Sequence, residues 1–178
     1  MGEDMRKDNR GISLVEIIMV LALMTVVAGM LMYGIGLISG KPAQKCANKI
    51  VLSLDRHRTT AMGKAVGTSY KLKTKSDTDK TVILEETIVE ADGTTKVTEI
   101  PIGEDTVVVN YTCGSTVKTL DESGLTLEFV RGSGAFKPQP DSSGGAGTDY
   151  CTEIVVSKAG KDYKIELVPL TGKVHIKE

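Results

Sequence analysis

Tryptophan is absent from this 178-residue chain, phenylalanine and histidine occur twice each, and aromatic residues make up only 4%. With so few flat rings, basic residues are not interleaved with the aromatics on which nucleobases stack. The formal net charge is -1, so no bulk attraction to nucleic acid or to an acidic surface is built in. His57 and His175 have no ligand spacing to each other or to a cysteine, and no metal is expected. No cofactor is expected either, because no glycine-rich phosphate cradle follows a strand pattern. Gly132-Ser133-Gly134 lacks the G-x-S-x-G spacing of a nucleophile elbow. Asp77 and Asp79 invite a calcium reading, but the ligand pattern of a calcium loop is missing and the pair reads as a solvated turn. With no catalytic constellation, the chain is not expected to be an enzyme.

Cysteine is scarce as well. Cys46, Cys113 and Cys151 can form at most one bridge, which excludes a disulfide framework. Cys113 with Cys151 is the candidate pair, because both flank strand patterns and Cys46 falls on a helix. The sequence leaves open whether that bridge closes.

What the chain does have is one apolar block. Ile17 to Ile38 contains no charge and almost no polar side chain. At about 1.5 Å per residue the block makes roughly 33 Å of helix, enough to cross a hydrocarbon core of about 30 Å. Apolar regions of secretory signals are shorter, and no small-residue cleavage site follows. A core helix of a globular domain would carry a polar face, and this block has none. Glu16 stands at its start. A carboxylate in a membrane segment costs a few kcal/mol and usually has a partner; otherwise it sits among headgroups and simply ends the span.

The stretch "GISLVEIIMVLALM" resembles the class III signal of type IV pilins and pseudopilins. Their signal has a polar leader ending in Gly, a glutamate five places after the cut, and then a long apolar run. The resemblance makes Gly11 the last leader residue, Ile12 the new N-terminus and Glu16 the fifth mature residue. It departs from the usual pattern in having Ile12 in place of Phe and Ser13 in place of Thr. The resemblance implies cleavage by a prepilin peptidase and methylation of the new amine. In a bundle of staggered helices Glu16 would neutralise the terminal amine of a neighbour, a pairing worth more in low dielectric than at a surface. Glu16 would then set the register of assembly. The resemblance also places the leader inside and the head outside. A count of bases gives the reverse, since Lys41, Lys45, Lys49, Arg56 and Arg58 follow the span and only Arg6, Lys7 and Arg10 precede it.

Gly29, Gly34, Gly36 and Gly40 thin the end of the span, permitting either close helix contact or local melting. Pro42 bends the chain or opens a second helix. From Ala43 to Ala65 an amphipathic pattern places Ala43, Ala47, Ile50, Val51, Leu54, Ala61, Met62 and Ala65 on one face. Lys45, Lys49, Arg56 and Lys64 fall on others, and His57 reads as part of the basic face. These bases are read as a solvated face, or as one turned to anionic headgroups or to acidic neighbours in a fibre.

After Gly67 the period becomes two. "TSYKLKT", "TVILEETIVE", "TKVTEIPI", "TVVVNYT", "LTLEFVR", "EIVVSK", "YKIELVPL" and "KVHIK" predict strands. Hairpin turns are predicted at Asp92-Gly93, Gly160-Lys161 and Thr171-Gly172, and a flexible surface loop at Lys137–Asp149. The predicted class is α+β, with a long N-terminal helix and a mainly antiparallel β head. The head is similar to H-type minor pseudopilins through Leu54, Arg58 and Ala61, through Gly124 to Phe129 and through Thr171 to Val174.

The expected organisation is a leader (1–11), a transmembrane and filament-core helix (12–40), an amphipathic helix (41–65) and a β head (66–178). The expected function is a minor pilin or pseudopilin, its partners being prepilin peptidase, other subunits and, before assembly, the cytoplasmic membrane. Two alternatives stay open: a single-span surface protein whose head binds a ligand or wall material, and a DNA-uptake pilus subunit. Nucleic acid as a partner is not itself indicated.

Overall fold

The computed structural model describes residues 13–38, 40–63, 68–89, 92–140 and 147–177, with side chains in all of these except 31–38. The chain divides into two compact units, Met1–Ile38 and Ser39–Glu178. The expected leader lies outside the described residues.

The first unit contains helix α1, Leu14–Ile38. Ser13 starts it. The Ser13 hydroxyl accepts the Val15 N–H at 3.3 Å, and the Ser13 carbonyl accepts the Glu16 and Ile17 N–H groups at 2.9 and 3.2 Å. Serine is favoured at this position because its side chain satisfies one of the unpaired amides of the first turn. Side chains are exposed right round the helix, Leu14 by 75% and Met30 by 70%. The Thr25 hydroxyl donates to the Ala22 carbonyl at 2.8 Å, so this helix carries its polar group already satisfied. The backbone helix has 25 residues, with side chains described only to Met30. Among the described residues no helix is long and apolar enough to cross a membrane. The span expected over Ile17–Ile38 therefore rests on the sequence.

The second unit opens with α2, Lys41–Gly63. Pro42 sits in its first turn, where a missing N–H costs nothing. Among the described residues nine strands follow: β1 (Thr68–Thr74), β2 (Val82–Val89), β3 (Thr95–Pro101), β4 (Val108–Cys113), β5 (Thr116–Thr119), β6 (Leu125–Glu128), β7 (Cys151–Lys158), β8 (Lys161–Val168) and β9 (Lys173–Lys177). They form two antiparallel sheets, ordered β3-β2-β1-β6 and β5-β4-β7-β8-β9. The fold is α+β, as predicted.

Helix α2 packs on β7, β8 and β9 and on β1, bridging both sheets. Its buried stripe runs through Ala43, Ala47, Ile50, Leu54, His57 and Ala61. That stripe corrects two expectations. Met62 is 36% exposed, and His57, expected on the basic face, is fully buried. The spacing Leu54, His57, Ala61 places the imidazole on the apolar side, and packing overrides its polarity. The short edge strand β5 has no counterpart among the predicted strands, because its four residues, TVKT, carry one apolar side chain and show no alternation.

The turns follow their residue types. Gly93 (φ 84°) lies between β2 and β3. The turn expected at Gly160-Lys161 falls one residue earlier: Ala159 (φ 52°) with Gly160 (φ 75°) closes β7 onto β8, and Lys161 already pairs with Lys158. Both residues of the second turn have positive φ, as a tight hairpin with right-handed strand twist requires. At Gly172 (φ 65°) a Cβ would fall on the Gly134 carbonyl oxygen, so glycine is demanded by space as well as by conformation.

Candidate processing and assembly site

Gly11 and Ile12, the expected processing residues, lie outside the described residues. What is described begins one residue later. Ser13 caps the helix, and Glu16 occupies its exposed first turn. The first-turn amides give this end a partial positive charge, which favours a carboxylate there. Ser13 and Glu16 have the spacing of a capping box. The described hydrogen bonds of Ser13 are nevertheless made with Val15, Glu16 and Ile17 amides and none with the Glu16 carboxylate. Glu16 is thus presented outward from the end of an otherwise apolar helix.

Cys113 and Cys151, the expected disulfide residues, are cross-strand partners of β4 and β7. A register shift between Thr112 and Cys113 brings them opposite each other, and their sulfurs are bonded. Cys46 is free and buried between α2 and the sheets. Burial pushes its thiol up to about 11 against the pull of Lys49, which leaves it without nucleophilic thiolate at neutral pH.

The basic residues of α2 divide. The Arg58 Nε donates to the Thr171 carbonyl at 3.0 Å, tying the end of α2 to the β8–β9 turn. That role is structural, and it weakens a reading of Arg56 with Arg58 as a nucleic-acid site. Lys73 lies between Glu85 and Glu99, whose carboxylates accept hydrogen bonds from its ammonium group and hold its pKa up. Asp79 is held down to about 2, first by the Thr81 hydroxyl and then by Lys75. Its bonds close the β1–β2 turn. Among the described residues no group of acids, histidines and cysteines is placed to hold a metal.

The sequence reading also missed a buried polar contact. His57 Nδ1 lies 3.1 Å from a Glu86 carboxylate oxygen, with Tyr70 edge-on to the imidazole at 5.7 Å between ring centres. Burial raises the pKa of the Tyr70 hydroxyl, with further push from Cys46 and Glu86. Among the described residues the Tyr70 hydroxyl and His57 Nε2 have no hydrogen-bond partner. Glu86 is therefore the single polar anchor of the buried imidazole. Glu86→Ala is expected to destabilise the head by about 1–3 kcal/mol, since it orphans a second ring nitrogen. Urea unfolding checks this, and an unchanged midpoint would show the contact to be inert.

The ends of the Lys137–Asp149 loop are tied down. The Lys137 N–H donates to Glu128, the Gln139 N–H to Asp149, and the Gln139 side chain to Thr126. Residues 141–146 of that loop lie outside the described residues.

An apolar helix opened by serine, with an acid in its first turn, precedes a β-rich unit that has its own core. Residues 6–32 match the family model described as the prokaryotic N-terminal methylation motif, the class III signal of type IV pilin-like prepilins. The match spans Arg6, Lys7, Arg10, Gly11, Ile12 and Glu16. It points to a structural protein. No curated protein and no solved structure matches the chain, so the likeness of the head to H-type minor pseudopilins is carried by sequence alone.

Proposed function

We propose that this chain is a minor pilin or pseudopilin, a structural subunit of a type IV pilus or of a type II secretion-like filament. The observation that carries the proposal is the methylation motif over residues 6–32, set against a helix that starts at Ser13 with Glu16 in its first turn. On this reading residues 1–11 are the leader, removed after Gly11 by a prepilin peptidase. Residues 12–40 hold the chain in the cytoplasmic membrane with the head outside, and later lie in the filament core. Residues 41–65 continue as the amphipathic helix, and 66–178 form the head. Glu16 meets the Ile12 amine of a neighbouring subunit and sets the stagger.

The cysteine chemistry supports a head outside the cytoplasm, because disulfides persist in oxidising compartments. The exposed apolar surface of α1 supports burial by lipid or by other copies.

N-terminal sequencing and intact mass after co-expression with a prepilin peptidase test the proposal. A chain beginning at Ile12 is expected, and an added methyl identifies the modified amine. A chain still beginning at Met1 beside an active peptidase would overturn processing and favour a simple membrane anchor.

A further inference from the structure

Lys41, Lys45, Lys49, Leu52 and Arg56 follow one another along α2 at spacings of three and four, so they form a single stripe. All five are exposed, Leu52 by 72%. Among the described residues none of the four bases pairs with an acid. The segment Lys41–Gly63 carries five Lys and Arg against one acid, a net +4. Residues 64–178 carry 14 Lys and Arg against 18 acids, a net -4. A nearly neutral chain is therefore split into a cationic helix and an anionic β part of equal and opposite charge.

Part of the anionic excess is gathered in the loops beyond the end of β1. A Glu122 carboxylate oxygen accepts the Asp77 N–H at 2.6 Å, and the Asp121 carbonyl accepts the Thr74 N–H at 3.0 Å, which joins two of these loops. Asp105 borders a cavity of about 150 Å³ beside Thr74 and Lys80. Asp77, Asp105, Asp121 and Glu122 are exposed and in no ion pair among the described residues. Lys75 is already engaged by Asp79.

We propose that the Lys41–Arg56 stripe of one copy docks on the Asp77, Asp105 and Glu122 surface of a second copy. This rests on the filament reading above and specifies which head surfaces meet. Stripe and acids lie on different elements and, among the described residues, form no ion pair with each other within one chain; in the filament of the reading above the contact runs head to tail, the stripe of each copy on the acids of the next, and is heterologous. Heterologous contacts propagate into an open polymer rather than closing a dimer. Charge balance favours such a contact. α2 begins directly after α1, so bundling α1 from identical copies gathers their Lys41, Lys45 and Lys49 ammonium groups. Those like charges repel unless acids from neighbouring heads lie between them. Leu52 supplies the apolar centre of the stripe.

Two measurements on the full chain test this. In the first, Lys45→Glu with Lys49→Glu is expected to lower filament yield at least about tenfold, and adding Asp77→Lys with Asp105→Lys is expected to restore it. Full yield from the first pair, or no recovery from the second, would overturn the proposal. Loss of binding to phosphatidylglycerol vesicles without recovery would instead assign the stripe to the membrane. In the second measurement, one copy carrying Lys49→Cys is co-expressed with another carrying Asp77→Cys, and a crosslinked pair is expected in membranes. Crosslinking without filaments would keep this contact while removing the filament reading. Filaments without crosslinking would remove the contact alone.

Discussion

Glu16→Ala and Glu16→Gln chains are expected to insert in the membrane and to be cut after Gly11, yet to form no filaments. This is the largest effect expected from any single change in the chain. The carboxylate is the one charge on α1, and in hydrocarbon it costs a few kcal/mol unless it is neutralised. Removing it makes insertion easier, so a loss of assembly cannot be blamed on a failure to reach the membrane. On the proposed reading the ammonium at Ile12 then loses its partner. Breaking a buried ion pair from one side costs about 3–5 kcal/mol, because the remaining charge is stranded. At 1.4 kcal/mol per factor of ten, that weakens each subunit contact by roughly 10² to 4 × 10³. A polymer repeats the loss at every joint. Glutamine preserves shape and hydrogen bonding but not charge, so failure of both variants assigns the effect to charge. Normal filaments from either, seen by electron microscopy beside wild-type levels of membrane protein, would end the register role.

Replacing Cys113 and Cys151 together by alanine lowers the stability of the head by about 4 kcal/mol on the loop-entropy relation for their separation of 38 residues. The bridge closes a loop that contains β5, β6 and the Lys137–Asp149 segment. Opening it frees that stretch in the unfolded chain while native pairing of β4 with β7 continues through Val108 to Thr112. The expected result is a cooperative fold with a markedly lower urea midpoint, reproduced in the unaltered protein by a thiol reductant. Cys46 does not confuse the comparison, since its thiol is buried and held up to about 11. An unfolding curve insensitive to reductant would show that the pair is not bridged in the protein.

Both predictions concern residues that stood out in the sequence, for different reasons. Glu16 is visible because charge inside an apolar run is rare and the leader glycine lies at a fixed distance from it. The helix and strand patterns were equally legible. α2 shows its period of three and four, and most strands show alternation. What stayed hidden depended on faces and partners. His57 was assigned to the basic side of α2 by its neighbours Arg56 and Arg58, although the spacing to Leu54 and Ala61 already pointed inward. Its anchor Glu86 is 29 residues away in sequence, and no local pattern announces such a pair. Strand β5 could not be read because its four residues, TVKT, carry a single apolar side chain and are too few to show an alternation.

From the sequence alone come the processing signal, the apolar helix with its acid, the amphipathic second helix and the β character of the head. These depend on short-range chemistry: hydropathy over adjacent turns, capping at Ser13, and glycine where φ must be positive. The tertiary structure alone decides that Cys113 faces Cys151 across a shifted register, that Arg58 is spent on the Thr171 carbonyl, and that His57 is buried against Glu86. It alone also decides that the acids of loops distant in sequence share one surface. The physical reason is common to all four. Each depends on sheet register and on how α2 lies across both sheets, and those are set by many weak packing contacts between segments far apart in the chain.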